Sequence, residues 1–204
     1  MAKGLTARVP AEKPRDNREA ILVAVASGIA RRGVRGLRIE DVAAEAGVSA
    51  PLLYYHFESR AGLIKAALDY AGEQAPSTAL LEPSDRSGYE AVEAALLAEL
   101  DDEPAVRENA TVWGEVSASA VFEPELRDDI RRVTEGWRQM VATGIRAGID
   151  DGSIRDDADP DEMAEVLISL VDGLCTRWLS GTLGRDRARE LLGAALRRTL
   201  RPIE

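Results

Sequence analysis

The stretch Ile39–Phe57, IEDVAAEAGVSAPLLYYHF, constrains the fold more than any other part of the chain. Ile39, Val42, Ala43 and Ala46 recur at helical spacing, and Gly47 can take the left-handed conformation that ends a helix. Ser49 is placed to cap a second helix. Pro51 is tolerated in that helix's first turn, where no intrahelical N–H is lost. The product is two short helices joined by a tight turn, a helix-turn-helix. A helix is about as wide as the major groove of DNA, and in this geometry the second helix offers its N-terminal side chains to base edges.

The rest of the chain also reads as helical. Alternating runs of Val, Ile and Thr are missing, and the apolar 45% of the 204 residues is mainly aliphatic, with two Phe, four Tyr and three Trp. Asp16 with Glu19 forms a capping-box pattern for a first helix, with Ile21, Leu22, Val25 and Ile29 on its apolar face. Its last turn carries Arg31 and Arg32, which suit the helix dipole or DNA phosphates. Ser59 caps a fourth helix striped by Leu63, Ile64, Ala67, Leu68 and Ala71. Pro76, Pro83, Asp85 and Gly88 then mark a joint. Further helices are expected at Tyr89–Leu100, from about Val106 to Ala120, from Pro124 to Ile149, from Asp159 to Trp178 and over Arg187–Leu200. The expectation is an all-α chain of about nine helices, with a three-helix head at 15–70 and a helical body at 85–204. The last two helices are apolar over more than one stripe. A subunit interface through Leu167, Leu170, Leu174, Leu192 and Leu196 accounts for that economically.

The formal net charge of −10 argues against a nucleic-acid partner only if it is evenly spread. Residues 1–65 hold 11 Lys+Arg against 7 Asp+Glu, a net of +4, and the remainder carries −14. A basic head therefore sits on an acidic body, and phosphate attraction belongs to the head. Residues 1–14 mix Lys, Arg, Pro and Gly without periodicity and read as a flexible basic arm. There is no apolar run of membrane-spanning length and no apolar signal-peptide centre, so a cytoplasmic protein is expected. The single Cys175 lies in an apolar helical run and reads as a packed thiol.

The segment Gly47–Phe57 with Glu58-Ser59-Arg60 resembles the N-terminal domain of the TetR family of transcriptional regulators. Val42-Ala43, Ala46-Gly47-Val48-Ser49, Leu53-Tyr54 and His56-Phe57 carry that likeness over about residues 15–68. Trp113, the stretch around Trp137, Gly148–Gly152, Ala164 and Asp172-Gly173-Leu174 look like the C-terminal domain in the branch containing betaine-synthesis repressors. The resemblance implies a homodimer that binds a palindromic double-stranded DNA operator and is released by a small-molecule effector. It also implies that the body binds the effector and forms the dimer, and no cofactor is expected.

On that resemblance the exposed side of the recognition helix is Ser49, Ala50, Pro51, Leu52, Tyr54, Tyr55 and His56, with Leu53 and Phe57 turned inward. Ala, Pro and Leu suit thymine methyls, while Tyr and His reach phosphate or base edges. Few of these side chains can make a bidentate base contact, so specificity leans on methyl contacts, DNA shape or Arg38. Arg38 stands where the family commonly has a Ser or Thr cap, which Arg cannot replace. It either leaves the cap unmade or contributes a DNA contact. Arg60 stands where the family usually has Lys. A cation at a helix N-terminus needs another partner, and a DNA phosphate is the expected one. In the body, Trp113, Phe122, Trp137, Met140 and Trp178 are the candidate lining of an effector cavity. Aromatic rings suit a hydrophobic or cationic ligand.

Other classes fit less well. One His and one Cys exclude a His-rich metal site or a Cys/His zinc site. A Ser-His-Asp triad using His56 would have to be built inside the helix-turn-helix. The pairs Asp101-Asp102, Asp128-Asp129, Asp150-Asp151 and Asp156-Asp157 fall at helix ends or in loops and read as solvated caps. No phosphate-binding glycine loop occurs. A helical small-molecule-binding or adaptor protein fits the body but leaves the basic head unexplained.

Overall fold

The computed structural model describes residues 17–77 and 85–202. The expected basic arm and the Asp16 cap lie outside the described residues, as does part of the Pro76–Gly88 joint. Among the described residues the helices are α1 (Asn17–Arg32), α2 (Ile39–Ala46), α3 (Ala50–Phe57), α4 (Arg60–Glu73), α5 (Gly88–Ala98), α6 (Pro104–Ser119), α7 (Arg127–Asp150), α8 (Pro160–Leu179) and α9 (Arg185–Leu200), with no strand.

Local chemistry sets the head. Gly47 sits at φ 70°, and its N–H closes on the carbonyls of Ala43 and Ala44. Ser49 Oγ accepts from Leu52 N at 3.4 Å, with Pro51 in the first turn of α3. Ser59 Oγ accepts from Gly62 N at 3.0 Å and starts α4. Arg38 precedes α2 in extended conformation and makes no side-chain cap. Arg31 and Arg32 have a third role that the sequence did not suggest. They pair with Glu45 and Asp41 of α2 and brace α1 against the helix-turn-helix.

Two expected boundaries move. Pro104 opens α6 rather than ending the loop before it, as suits the first turn of a helix. Pro124 opens a short 3₁₀ turn, Pro124–Leu126, and α7 begins after it at Arg127. With 24 residues α7 is about 36 Å long, the spine of the body. Its C-terminal end crosses α5 so closely that a Cβ on Gly88 would lie 2.1 Å from Gly148 N. Gly88 N and Tyr89 N donate there to Asp151 Oδ2 (2.7 Å) and Ser153 Oγ (3.1 Å), so the start of α5 is held by the end of α7.

Two apolar clusters form the interior. The first joins α1–α4 with Val112, Val116, Ala120 and Leu126 of the body, so the head packs directly on α6 and the turn after it. The second joins α5, α7, α8 and α9. Leu167, Leu174, Leu192 and Leu196, expected at a subunit interface, are at most 4% exposed within this second cluster. Helices α8 and α9 turn these faces toward each other and toward α5 and α7. The width of the apolar surface on α8 and α9 is thus used largely inside the chain, and of the five leucines Leu170 alone stays partly exposed.

Candidate nucleic-acid interface and effector cavity

Helix α3 separates two kinds of side chain. Leu53 and Phe57 are buried against the head core, whereas Tyr54 and Tyr55 are 46% and 81% exposed. Ser49 and Pro51 are exposed, and Ala50, Leu52 and His56 are half-buried on the same outward side. The Tyr55 and His56 rings meet edge-on with centroids 5.6 Å apart, which limits the freedom of two groups that face outward. The Arg18 guanidinium stands 5.7 Å from the Phe57 ring and ties the start of α1 to the inner side of α3.

The two arginines flanking this unit differ. Arg38 is exposed and enters no ion pair among the described residues. Arg60, expected to meet a phosphate, has its partners inside the chain: Nη2 donates to the Val34 carbonyl, and Nη1 lies 3.9 Å from Glu123 Oε2. The cation opposing the α4 dipole is thereby satisfied by the α1–α2 turn and by the loop after α6. Lys65 is likewise taken, by Asp129 at 2.6 Å.

A cavity of about 560 Å³ lies between the two apolar clusters, walled by α1, α4, α5, α6, α7 and α8. Trp113, Trp137 and Met140 line it as expected from their type. Phe122 and Trp178 do not. Phe122 is 70% exposed on the loop after α6 beneath Arg35, and Trp178 is buried in the second cluster with the Arg107 guanidinium 4.9 Å from its ring. Aromatic character did not reveal which side of the packing each ring joins.

Two carboxylates complete the wall. Trp113 Nε1 donates to Asp172 Oδ1 at 2.9 Å, and Ser77 N donates to Glu99 Oε1 at 3.2 Å. Neither acid enters an ion pair among the described residues, although Arg132 on the rim holds Asp69 at 2.5 Å. Burial pushes the Asp172 carboxyl up to about 6, against the hydrogen bond from Trp113 and with the neighbouring Glu99 charge adding to the rise. Burial also raises Glu99, despite its bond from Ser77. Burial, with the charges of Glu99 and Asp172, pushes the Cys175 thiol up to about 12, and Sγ lies 3.5 Å from the Glu99 carbonyl it faces. This is the environment of a packed, unreactive thiol. Among the described residues Trp137 Nε1 and Ser77 Oγ are buried without a hydrogen-bond partner, both on this wall. The sequence did hold a signal for the acids: Asp172 interrupts the apolar run LISLVDGLC, and Glu99 stands between Ala98 and Leu100.

Comparison with known proteins decides the family. The model of the BetI-type transcriptional repressor C-terminal domain matches residues 88–201, and that of the bacterial regulatory proteins of the tetR family matches residues 21–67. The chain belongs to the TetR family of transcriptional regulators. A Rhodococcus sp. protein described as a TetR-family regulator is 41% identical over 90% of this chain and 98% of its own, with a TM-score of 0.85. A Saccharomonospora viridis transcriptional regulator, solved in complex with choline, is 30% identical over 91% of this chain and 98% of its own, with a TM-score of 0.79. The HTH-type transcriptional regulator CymR of Pseudomonas putida is 30% identical over 165 residues, covering 78% of this chain and 77% of its own. TetR-family regulators join a DNA-binding head to a ligand-binding body, usually as dimers, and are not typically enzymes. Among the described residues no helix is long and apolar enough to cross a membrane.

Proposed function

We propose that this TetR-family chain is a homodimeric repressor whose two α3 helices occupy a palindromic operator and whose release is triggered by a small organic cation. The observation that carries this reading is the cavity, where two tryptophans, the buried Glu99 and the half-buried Asp172 face one space, neither acid in an ion pair among the described residues. Aromatic faces and carboxylates attract a cation together, and a quaternary ammonium fits such a wall because it needs no hydrogen-bond acceptor. Choline, held by the Saccharomonospora viridis relative, belongs to that class.

Helix α4 connects the two sites. Asp69, Ala71, Gly72 and Glu73 near its C-terminal end line the cavity, while its N-terminal end follows α3 and packs on the head core. Two α3 helices meeting successive major grooves on one face of DNA must stand roughly 34–36 Å apart. A ligand that binds better to a different separation lowers DNA affinity, because the two equilibria are linked. The reading places Tyr54, Tyr55, His56, Ser49, Ala50, Pro51, Leu52 and Arg38 against DNA and removes Arg60 from that set. It places the partner subunit on the outer faces of α8 and α9, around the exposed Val166 and the partly exposed Leu170.

The test is selection of bound DNA from a random pool, followed by titration of the selected duplex with protein at increasing choline. A palindrome enriched and then released by choline is the expected result. Enrichment of no sequence would overturn the operator reading, and DNA affinity unmoved by choline or tetramethylammonium would overturn the cationic effector.

A further inference from the structure

Glu99 stands at the C-cap of α5 and Asp172 on α8, yet both acids face one cavity. Their partners are neutral donors, the Ser77 amide and the Trp113 indole. The other charged or titratable groups on the wall are Arg18 of α1, Asp69 and Glu73 of α4, Arg132 of α7 and Cys175 of α8. Arg132 is engaged by Asp69 and Asp129, and Arg18 stacks toward Phe57. Among the described residues neither is paired with Asp172 or Glu99.

Two acids facing one cavity, Glu99 buried and Asp172 half-buried, cannot both ionise cheaply unless positive charge enters. We propose that Asp172 and Glu99 are the cation-reading pair of the cavity, and that the effector's positive charge is exchanged for a proton held by that pair, so induction weakens as the medium acidifies. The inference rests on the cationic-effector reading above. The balance is simple: the carboxylic acid O–H gives its proton to solvent, and the carboxylate left behind faces the cation. No bond to the effector forms.

The sign follows from linkage. A cation favours the ionised acid, so the complex holds fewer protons than the empty protein wherever the empty pair is protonated. With Asp172 near 6 when the cavity is empty, cation affinity rises by up to about tenfold per pH unit below that value and flattens above it as far as this residue is concerned. Burial raises Glu99 as well, so its carboxyl can add to the proton that a cation displaces.

Calorimetric titration of the full chain with choline, between pH 5.5 and 8 and in buffers of different ionisation enthalpy, counts the protons released. At pH 6 about half a proton or more per site is expected, with the count and the pH dependence of affinity both reduced in Asp172→Asn. The asparagine retains an oxygen for Trp113 Nε1, and Glu99→Gln provides a second variant if the first folds poorly. The wild-type series alone can refute the exchange: choline binding with no proton released and constant affinity across this range overturns it, while the cationic reading stands. No binding of choline or tetramethylammonium at pH 8 overturns both.

Discussion

Arg38 and Arg60 flank the same DNA-reading unit, so their replacement by alanine separates an electrostatic role from a structural one. Arg38 is exposed and outside every ion pair described, so its loss should leave stability within about 0.5 kcal/mol of wild type. If it meets a phosphate, each chain loses one released counterion. The slope of log K against log salt should then flatten by about 0.9 per protomer, or about 1.8 for a dimer on its operator. Arg60 should behave in the opposite way. Its guanidinium donates to the Val34 carbonyl, with the Glu123 contact longer, at 3.9 Å, and with its own side chain 39% exposed. Discounted for solvent, the loss is on the order of 1 kcal/mol, or about 2–4 °C in melting temperature for a chain of this size. Fluorescence anisotropy with the selected operator from 50 to 300 mM salt, beside thermal melts, reads both quantities. An Arg60→Ala slope that flattens as much as the Arg38→Ala slope, with an unchanged melt, would refute the assignment of Arg60 to the fold.

Gly88→Ala should destabilise by about 1–3 kcal/mol or more, seen as an earlier urea midpoint, because its new methyl meets the backbone of Gly148 rather than a movable side chain. Asp172→Asn should stabilise the ligand-free protein. A carboxyl whose folded value of about 6 exceeds its ordinary 3.8 contributes stability below pH 4 that is lost as pH rises through 6. The variant should therefore gain up to about 3 kcal/mol at pH 8 and nothing near pH 3.5, as urea titrations at both values would report. Val166→Glu with Leu170→Glu should give folded monomers in sedimentation. Leu196→Glu should instead lose helical circular dichroism, because Leu196 is fully buried in its own chain.

The head was legible in the sequence because its determinants are local. Gly47, Ser49, Pro51 and Ser59 act on backbone groups within four residues, and the periodicity of α1 and α4 needs no knowledge of a partner. Legibility failed where the deciding neighbour is distant. That a cation opens α4 is visible in the sequence; that Glu123 arrives beside it is not. Leu192 and Leu196 are apolar whether a second chain or α8 covers them, and pattern alone cannot choose. Aromatic type found Trp113 and Trp137 but also Phe122 and Trp178, since a ring contributes equally to a core, a cavity wall or a surface stack. The acids were the sharper clue, because a carboxylate inside an apolar helical run is expensive and calls for a reason.

That expense bears on why the site is arranged as it is. Hydrophobic residues in place of Glu99 and Asp172 would fill the space between the clusters and stabilise the fold, yet they would leave only the faces of Trp113 and Trp137 to favour a cation over an apolar molecule. Keeping the acids there lowers the stability of the empty protein and raises the gain when positive charge enters. The gain is available to regulation only if it differs between two positions of the head. Helix α4 is the element placed to carry it: Asp69 and Glu73 stand on the cavity wall, Leu63 and Ile64 are fully buried in the head core, and the helix is tied to α7 by Lys65 with Asp129 and by Asp69 with Arg132. A difference of 1–3 kcal/mol between those positions would change operator affinity by roughly 5–150-fold. On the proposed mechanism this is comparable to the energy that one ligand-neutralised carboxylate such as Asp172 can supply, and α4 is the element whose shift would move the two recognition helices out of register with DNA.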